Sequence, residues 1–292
     1  MKQAVFIAVL TIAACDSGPR PEPVVVYAHG EETSGLTERL AAFSDDSGIP
    51  VTVKYGDSAA LTNDVINNQG SPPADVLLTA SVGDIWRAAD QGALRPIRPA
   101  ALDGVPEFAK DPDGYWVAFD TYLAAIGMAK NVLSGPRDYA SLANPEFRGQ
   151  VCLSSPATPI SRAVIADLIA ERGAKEAETV VRGWVRNLAL PPFQTEEKLI
   201  DALRAGDCGL GIFSSAYKSE GIKRYGPRPS SYNIEGLGVA RHARYPESAH
   251  LLVGWLVKQE TNPMHDRTGR NIGVVGLLDE DARLLAERAG YR

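Results

Sequence analysis

The sequence predicts a two-lobed α/β fold with a cleft between the lobes. Two groups of strand-helix units indicate this, one before about residue 116 and one after about residue 129. The extended apolar segments 116–128 and 233–241 could each pass between the groups, and the second passage would return the chain to the first lobe. Strands that alternate with helices are typical of a sheet with helices on its faces.

The first lobe begins with three strand-helix units. Runs of β-branched and aliphatic residues predict its strands at 24–27, 51–55 and 75–79. A helical pattern follows each strand, and the first is the clearest. There Leu36, Leu40 and Phe43 recur at helical spacing, and Gly48 closes the helix.

The remaining elements follow a turn-rich stretch. Strands are predicted at 151–153, 209–213 and 237–241, and helices at 161–172, 175–188, 196–205, 246–259 and 279–289. The predicted lobe limits are 24–118 with 238–292 for the first lobe and 119–237 for the second.

Composition and charge argue against several classes of protein. The chain has 292 residues, 45% hydrophobic and 23% charged, which is ordinary for a globular protein with a substantial core. It has 36 acidic against 30 basic residues and no basic block, so a nucleic-acid partner is not expected. G-x-S-x-G, H-E-x-x-H and P-loop motifs are absent from the sequence, and the four histidines show no metal-like spacing. We therefore expect no enzyme, although a Ser/His/Asp set assembled from distant residues stays open.

The first fifteen residues predict export and a lipid anchor. The apolar run 4–14 is too short to span a bilayer, which takes about 20 residues, and has the length of a signal-peptide core. It ends in Ile-Ala-Ala-Cys at Cys15, which resembles the lipobox of bacterial lipoproteins. That resemblance implies a signal peptide at 1–14 and lipidation of Cys15, and Asp16 resembles the signal for retention at the inner membrane. The proline-rich segment 15–23 would then be an extended tether. An ordinary signal peptide with a chance cysteine is the alternative.

The predicted location is therefore the periplasm, on a lipid anchor in the inner membrane. Because that compartment is oxidising, Cys152 and Cys208 are expected to form a disulfide. Cys152 opens one predicted strand and Cys208 precedes another, so the bond is geometrically possible if the strands are neighbours. Two buried free thiols are the alternative.

Four stretches of the chain carry a family resemblance. They are VVVY at 24–27, PADVLLT at 73–79, LANP with RGQVC between 142 and 152, and NI with GLGV between 233 and 239. In this order they resemble the periplasmic ferric-ion-binding proteins of bacterial ABC importers, within the wider group of solute-binding proteins. The resemblance runs through most of residues 24–260. It implies the two-lobed periplasmic-binding-protein fold with a hinge and a cleft between the lobes, and a monomer that closes on a small ligand. It also implies delivery to a membrane permease, whose ATPase subunits use the ATP.

The resemblance also implies an iron(III) site, with substitutions at several ligand positions. Iron(III) is a hard cation that prefers phenolate and carboxylate oxygens. Where the family has two adjacent tyrosines, this chain has Ala216 and Tyr217. The family arginine that helps to hold a synergistic anion aligns with Tyr122, and a family asparagine aligns with Glu196.

A rearranged metal site is the first hypothesis for the ligand. The family histidine falls in a short stretch that contains His29, Glu31 and Glu32. The implied metal ligands are Tyr217, Tyr122, Glu196, Glu31 and His29. The alternative is that Tyr122 belongs to the core and that the glutamates are solvated charges at helix starts.

A hydroxyl-rich set supports a second hypothesis, in which the ligand is an oxyanion, a phosphorylated compound or another small polar solute. Ser81 follows the third strand, where many family members have an acid. The other hydroxyls are those of Ser154, Ser155, Thr158, Ser161, Ser214 and Ser215, with Arg162 nearby. Hydroxyls and backbone N–H groups near helix starts suit anions, and simple helix capping is the alternative.

Overall fold

The computed structural model describes residues 22–32, 35–227, 229–258 and 272–292. The predicted signal peptide, the lipidation site Cys15 and most of the tether lie outside these residues. Among the residues that the structure describes, no helix has the length and apolar character needed to cross a bilayer.

The described residues form nine strands and nine α-helices. The strands are β1 Val24–His29, β2 Val51–Gly56, β3 Val76–Thr79, β4 Leu94–Arg95, β5 Val117–Met128, β6 Val151–Cys152, β7 Leu210–Ser214, β8 Lys223–Tyr225 and β9 Tyr232–Ala240. The helices are α1 Gly35–Ser47, α2 Ser58–Ile66, α3 Val82–Asp90, α4 Pro159–Arg172, α5 Ala174–Asn187, α6 Glu196–Ala205, α7 Pro246–Lys258, α8 Ile272–Leu277 and α9 Asp279–Arg288.

The strands pair in the order β2-β1-β3-β9-β5-β7-β6, with β4 also beside β9 and β8 also beside β5. β1 is parallel to β2 and β3, and β6 is parallel to β7. β9 is antiparallel to both β3 and β5, and β5 is antiparallel to β7. The two long strands β5 and β9 correspond to the predicted crossing segments. They form the central pair that joins β1–β3 to β6 and β7.

Close packing of α3 on β9 depends on a glycine. A Cβ atom at Gly236 in β9 would lie 2.3 Å from Cγ2 of the fully buried Ile85 in α3. Real side chains do not approach that closely, so any larger residue would push helix and strand apart. The absence of a side chain therefore lets α3 lie directly on β9, beside the residues described below.

The C-terminal helices contact elements of both predicted lobes. α8 packs against α3 and α4, and α9 packs against α4 and α5. The buried Tyr291 also donates a hydrogen bond from its hydroxyl to the carbonyl oxygen of Ser154, at 2.5 Å. The predicted limit at residue 238 assigned these helices to the first lobe alone. Their packing joins the two lobes, and the lobe limits stay a prediction.

A disulfide joins strand β6 to the residues just before its neighbour β7. Cys152 in β6 and Cys208, shortly before β7, are bonded, with their Cα atoms 6.0 Å apart. β6 and β7 pair in parallel, so the bond crosses between adjacent strands. It lies within a cluster of buried residues from α6 and β7, which includes Leu199 and Phe213.

Candidate functional site

A cavity of about 250 Å³ lies where β5 and β9 meet the start of α4 and the end of β7. Its lining consists of His29, Ala80, Tyr122, Pro159, Ile160, Glu196, Ser214, Ala216, Tyr217, Asn233 and Glu235. Four of the five predicted metal ligands share this lining. The fifth, Glu31, is exposed and lies outside it. Residues distant in sequence thus meet at one place.

Glu196 is held at one side of the cavity by the start of α6. It is the first residue of that helix, whose N-cap Thr195 accepts a hydrogen bond from the N–H of Lys198. The Glu196 carboxylate accepts the N–H of Ser214 at 2.5 Å and is only 6% exposed. Burial raises the pKa of Glu196 to about 7, and the charge of Glu197 acts in the same direction. The hydrogen bond from Ser214 partly opposes this rise.

Tyr217 lies beside Glu196, in the turn that follows β7. Its backbone N–H donates to the carbonyl oxygen of Ser214 at 3.2 Å, which fixes the turn. The side chain is half-buried, and burial raises the pKa of Tyr217 well above its usual value. The negative charges of Glu196 and Glu197 raise it further. The phenol therefore keeps its proton in the unligated protein, and a bound cation would have to displace that proton.

Tyr122 forms the opposite side of the cavity together with two partners. Its hydroxyl donates to Oε1 of Glu235 at 2.6 Å and lies 3.3 Å from Oδ2 of Asp120. Nε2 of His29 is 3.3 Å from the same oxygen of Glu235. Burial, followed by the charge of Glu235, raises the pKa of Tyr122 far above its usual value. Tyr122 is half-buried and lines the cavity, which contradicts the alternative that it is a core residue.

Asn233 and Glu235 also line the cavity, and neither is among the predicted site residues. Asn233 donates from Nδ2 to the carbonyl oxygen of Ala80 at 2.8 Å and accepts the N–H of Val82 at 3.1 Å. It thereby ties β9 to the start of α3. One pattern in the sequence could have predicted them. The two polar residues are two positions apart in an otherwise apolar strand, so their side chains lie on the same face of the sheet.

The predicted polar-solute residues are only partly at the cavity. Ser214 lines it, whereas Ser81 caps α3 by accepting the N–H of Asp84 at 3.2 Å. The hydroxyl of Ser215 accepts the N–H of Leu123 at 2.9 Å and so supports β5. Ser81 thus caps a helix, as the capping alternative predicts, whereas Ser215 bonds the backbone of a strand.

The hydroxyls at the start of α4 bond to one another. Thr158 donates to the carbonyl oxygen of Ser155 at 3.0 Å, and the hydroxyls of Ser154 and Ser161 are 3.2 Å apart. Tyr291 closes the group, because its hydroxyl lies 3.2 Å from that of Ser161. Ser155 and Thr158 are outside the cavity lining. This group therefore stabilises the junction between α4 and the C-terminal residues.

The cavity is acidic. Its described lining includes the carboxylates of Glu196 and Glu235 and no Lys or Arg. Arg162, the predicted anion partner, pairs instead with Asp279, from Nε to Oδ1 at 2.8 Å. Within the described ranges, no three His, Cys, Asp or Glu side chains are grouped so as to hold a metal ion. A metal bound here would therefore need the phenol oxygens of Tyr122 and Tyr217.

A second cavity, of about 220 Å³, adjoins the first. His29, Tyr122 and Glu235 line both cavities and so form the wall between them. The second cavity adds Arg39, whose guanidinium carbon lies 5.0 Å from the ring centre of Phe119. These three residues therefore lie at the centre of the two adjoining cavities.

The family model for bacterial extracellular solute-binding proteins matches residues 24–270. The chain belongs to this family. Its members are transport proteins rather than a class of catalysts.

Individual relatives share both sequence and fold with this solute-binding protein. "Iron uptake protein A1" of Synechocystis sp. is 26% identical over 244 residues, which are 76% of this chain and 68% of that protein. The structure of the Trichodesmium protein IdiA (FutA) in complex with iron and citrate ligands has a TM-score of 0.80. It is 23% identical and covers 92% of this chain and 100% of its own. The ferric binding protein from Campylobacter jejuni has a TM-score of 0.82 and is 18% identical, with coverage of 92% and 100%.

Another relative of this chain carries a name that points to a different ligand. It is a candidate 2-aminoethylphosphonate-binding periplasmic protein of Salmonella typhi, 24% identical over 208 residues. These are 69% of this chain and 60% of that protein. The family match and the shared folds confirm the predicted resemblance and the predicted two-lobed α/β fold.

Proposed function

We propose that this chain is the ferric-iron-binding component of a bacterial ABC importer. It is lipid-anchored at Cys15 on the periplasmic face of the inner membrane. It captures the ion in the cavity of about 250 Å³ and delivers it to a permease driven by ATPase subunits. One observation carries the proposal: tyrosine, carboxylate and imidazole donors gather in a lining that has no Lys or Arg among its described residues.

Electrostatics favour a cation over an anion as the ligand. Glu196 and Glu235 bring two carboxylates to one lining, and burial makes the charge of Glu196 unfavourable. A cation would offset that cost, whereas an anion would add to it. Iron(III) is a hard cation, and phenolate and carboxylate oxygens are the donors that it prefers. The names of the Synechocystis and Campylobacter relatives support the same ligand.

A titration with ferric nitrilotriacetate tests this function. We expect the wild-type protein to bind iron and to develop the visible absorption band of an iron-phenolate bond. Tyr217→Phe removes one phenol and should weaken binding by roughly 10–100-fold while losing much of the band. Tyr55→Phe is the matched control, since Tyr55 lies on β2 and its hydroxyl bonds to Thr37, away from the cavity. Equal iron binding by Tyr217→Phe and wild type would overturn the assignment of Tyr217.

A phosphonate or phosphate compound is the second candidate ligand, and the position of α4 favours it. Pro159 and Ile160, the first residues of this 14-residue helix, line the cavity. A helix N-terminus attracts anions through its free N–H groups and its dipole. In 2-aminoethylphosphonate the ammonium group could pair with Glu235. Calorimetric titration of the iron-free protein with this compound and with inorganic phosphate separates the candidates. Phosphonate binding without iron binding would replace the iron proposal.

A further inference from the structure

Glu235 lies on the wall shared by the two cavities and contacts both Tyr122 and His29. It lies on β9 directly opposite Asp120 of β5, next to a register shift between Ala118 and Asp120. Its side chain is 14% exposed, so most of the carboxylate is withdrawn from bulk water. It also lines both cavities. A ligand in either cavity would therefore meet this carboxylate.

The contacts of Glu235 use one of its two oxygens. Both Tyr122 and His29 approach Oε1, at 2.6 and 3.3 Å. Within the part of the chain that the structure describes, Oε2 receives no hydrogen bond. A carboxylate can accept roughly four hydrogen bonds or coordinate a metal through either oxygen. Glu235 is thus oriented by two neighbours and keeps an oxygen for a ligand.

The neighbouring carboxylate is used differently. Oδ1 of Asp120 accepts the N–H of Thr121 at 2.7 Å, and Oδ2 lies 3.3 Å from the hydroxyl of Tyr122. Asp120 lines the second cavity but not the one that contains Tyr217. It therefore supports Tyr122, while Glu235 faces the candidate site.

We infer that Glu235 is a direct ligand of the transported ion, a role that rests on the proposed function. The chain then binds iron(III) from two sides. Tyr217 and Glu196 supply oxygens from the elements around β7, and Glu235 supplies one from the central strands. Tyr122 and His29 hold the Glu235 carboxylate in position and offer further donors next to it. Glu235 thus supplies a carboxylate of the protein itself at the wall of the cavity.

Charge and ligand chemistry both support this role. A trivalent cation bound by too few anionic oxygens keeps excess charge in a partly dehydrated site, which is unfavourable. The carboxylate of Glu235 reduces that excess, and its oxygen matches the hard character of iron(III). A neutral amide at the same place would keep the shape and the hydrogen bond from Tyr122 but would lose the charge.

The experiment compares Glu235→Gln, Glu235→Ala and the matched control Glu220→Gln, an exposed residue outside both linings. Each protein is titrated with ferric nitrilotriacetate at one fixed chelator concentration, and its iron-free melting temperature is recorded. We expect Glu235→Gln to bind iron at least about tenfold more weakly and to keep the iron-phenolate band, while Glu220→Gln matches the wild type. Glu235→Ala should regain affinity when sodium formate replaces sodium chloride at equal ionic strength. Formate can fill the vacated space and supply the missing carboxylate. Formate should not restore Tyr217→Phe.

Three results would overturn the inference, and they are distinguishable. If Glu235→Gln bound ferric iron as tightly as the wild type, the negative charge of Glu235 would not contribute to binding. A loss in Glu235→Ala that formate does not restore, together with a lowered melting temperature, would show a purely structural role. If the wild-type protein failed to bind iron, the proposed function would fall and this inference with it. In the first two cases the proposed function would stand.

Discussion

At the scale of single residues, Glu196 of the candidate site carries a buried charge that the folded protein stabilises poorly. Its carboxylate is nearly buried, with one backbone N–H as its hydrogen-bond donor, and it lies near Glu197 and Tyr217. None of these neighbours is a cation. The ionised form is therefore poorly stabilised in the folded, unligated protein. A residue selected for stability alone would not carry this charge, so its burial is consistent with a ligand that offsets it.

Glu196→Gln should make the unligated protein more stable at neutral and higher pH. The pKa of Glu196 is raised from 4.5 to about 7 on folding, so the unfolded chain loses this proton first as pH rises. Wild-type stability should therefore fall as pH rises from about 4.5 to about 7, because the unfolded state binds fewer protons there. Glutamine removes this dependence and still accepts the N–H of Ser214. We expect a gain of about 1–3 kcal/mol above pH 7 that vanishes below pH 4.5.

Urea unfolding at several pH values measures this difference. The same variant should bind ferric iron more weakly, since it loses an anionic oxygen. A stability difference that stays constant across pH would contradict the assigned cause.

Some residues of the candidate site could be predicted from the sequence and others could not. Tyr217 and Tyr122 were predicted because they stand at positions where the resemblance implies ligands, and both line the cavity. Glu235 was not predicted: alternation with Asn233 marks the face of β9 on which it lies, but its place opposite Asp120 depends on the register of β9 against β5. Register between strands far apart in sequence is not encoded in any short segment.

At the scale of elements, the sequence predicted the long strands and helices but missed some of the short strands. The twelve-residue strand β5 and the helices α4 to α6 follow clear periodic runs. The short strands β4 and β8 were missed, because two or three residues carry no period. They form strands because they pair with the longer strands β9 and β5, respectively.

Gly236→Ala should loosen the contact between α3 and β9. The added Cβ would lie 2.3 Å from Cγ2 of Ile85, so strand or helix must shift. Overpacking of this kind costs about 1–3 kcal/mol. Gly35→Ala is the control, because an added Cβ at the start of α1 meets nothing within 4 Å. Chemical denaturation of both variants measures the difference, and equal stabilities would contradict the proposed packing role.

At the scale of the whole molecule, the candidate site is assembled from distant parts of the chain. His29 ends β1, Tyr122 and Glu235 lie on the central strands, and Glu196 and Tyr217 flank β7. β5 and β9 are the two strands that connect these parts. A change in the angle between the predicted lobes would therefore alter the distances between donor groups, which is the geometry of hinge closure around a ligand.

Iron binding should consequently make the protein more compact. In the proposed site a single ion contacts oxygens from both sides of the cavity, so it binds the closed arrangement more tightly than the open one. Binding therefore shifts the equilibrium towards the closed arrangement, to an extent set by the ratio of the two affinities. We expect the radius of gyration from solution X-ray scattering to fall when ferric iron saturates the wild-type protein. Iron at about 100 times its dissociation constant should also add about 2.7 kcal/mol to the free energy of unfolding. Tyr217→Phe lacks one of the bridging oxygens and should show a smaller change in both quantities at the same iron concentration. An unchanged radius of gyration in a protein that demonstrably holds iron would mean that the donors are already in place and that no closure accompanies binding.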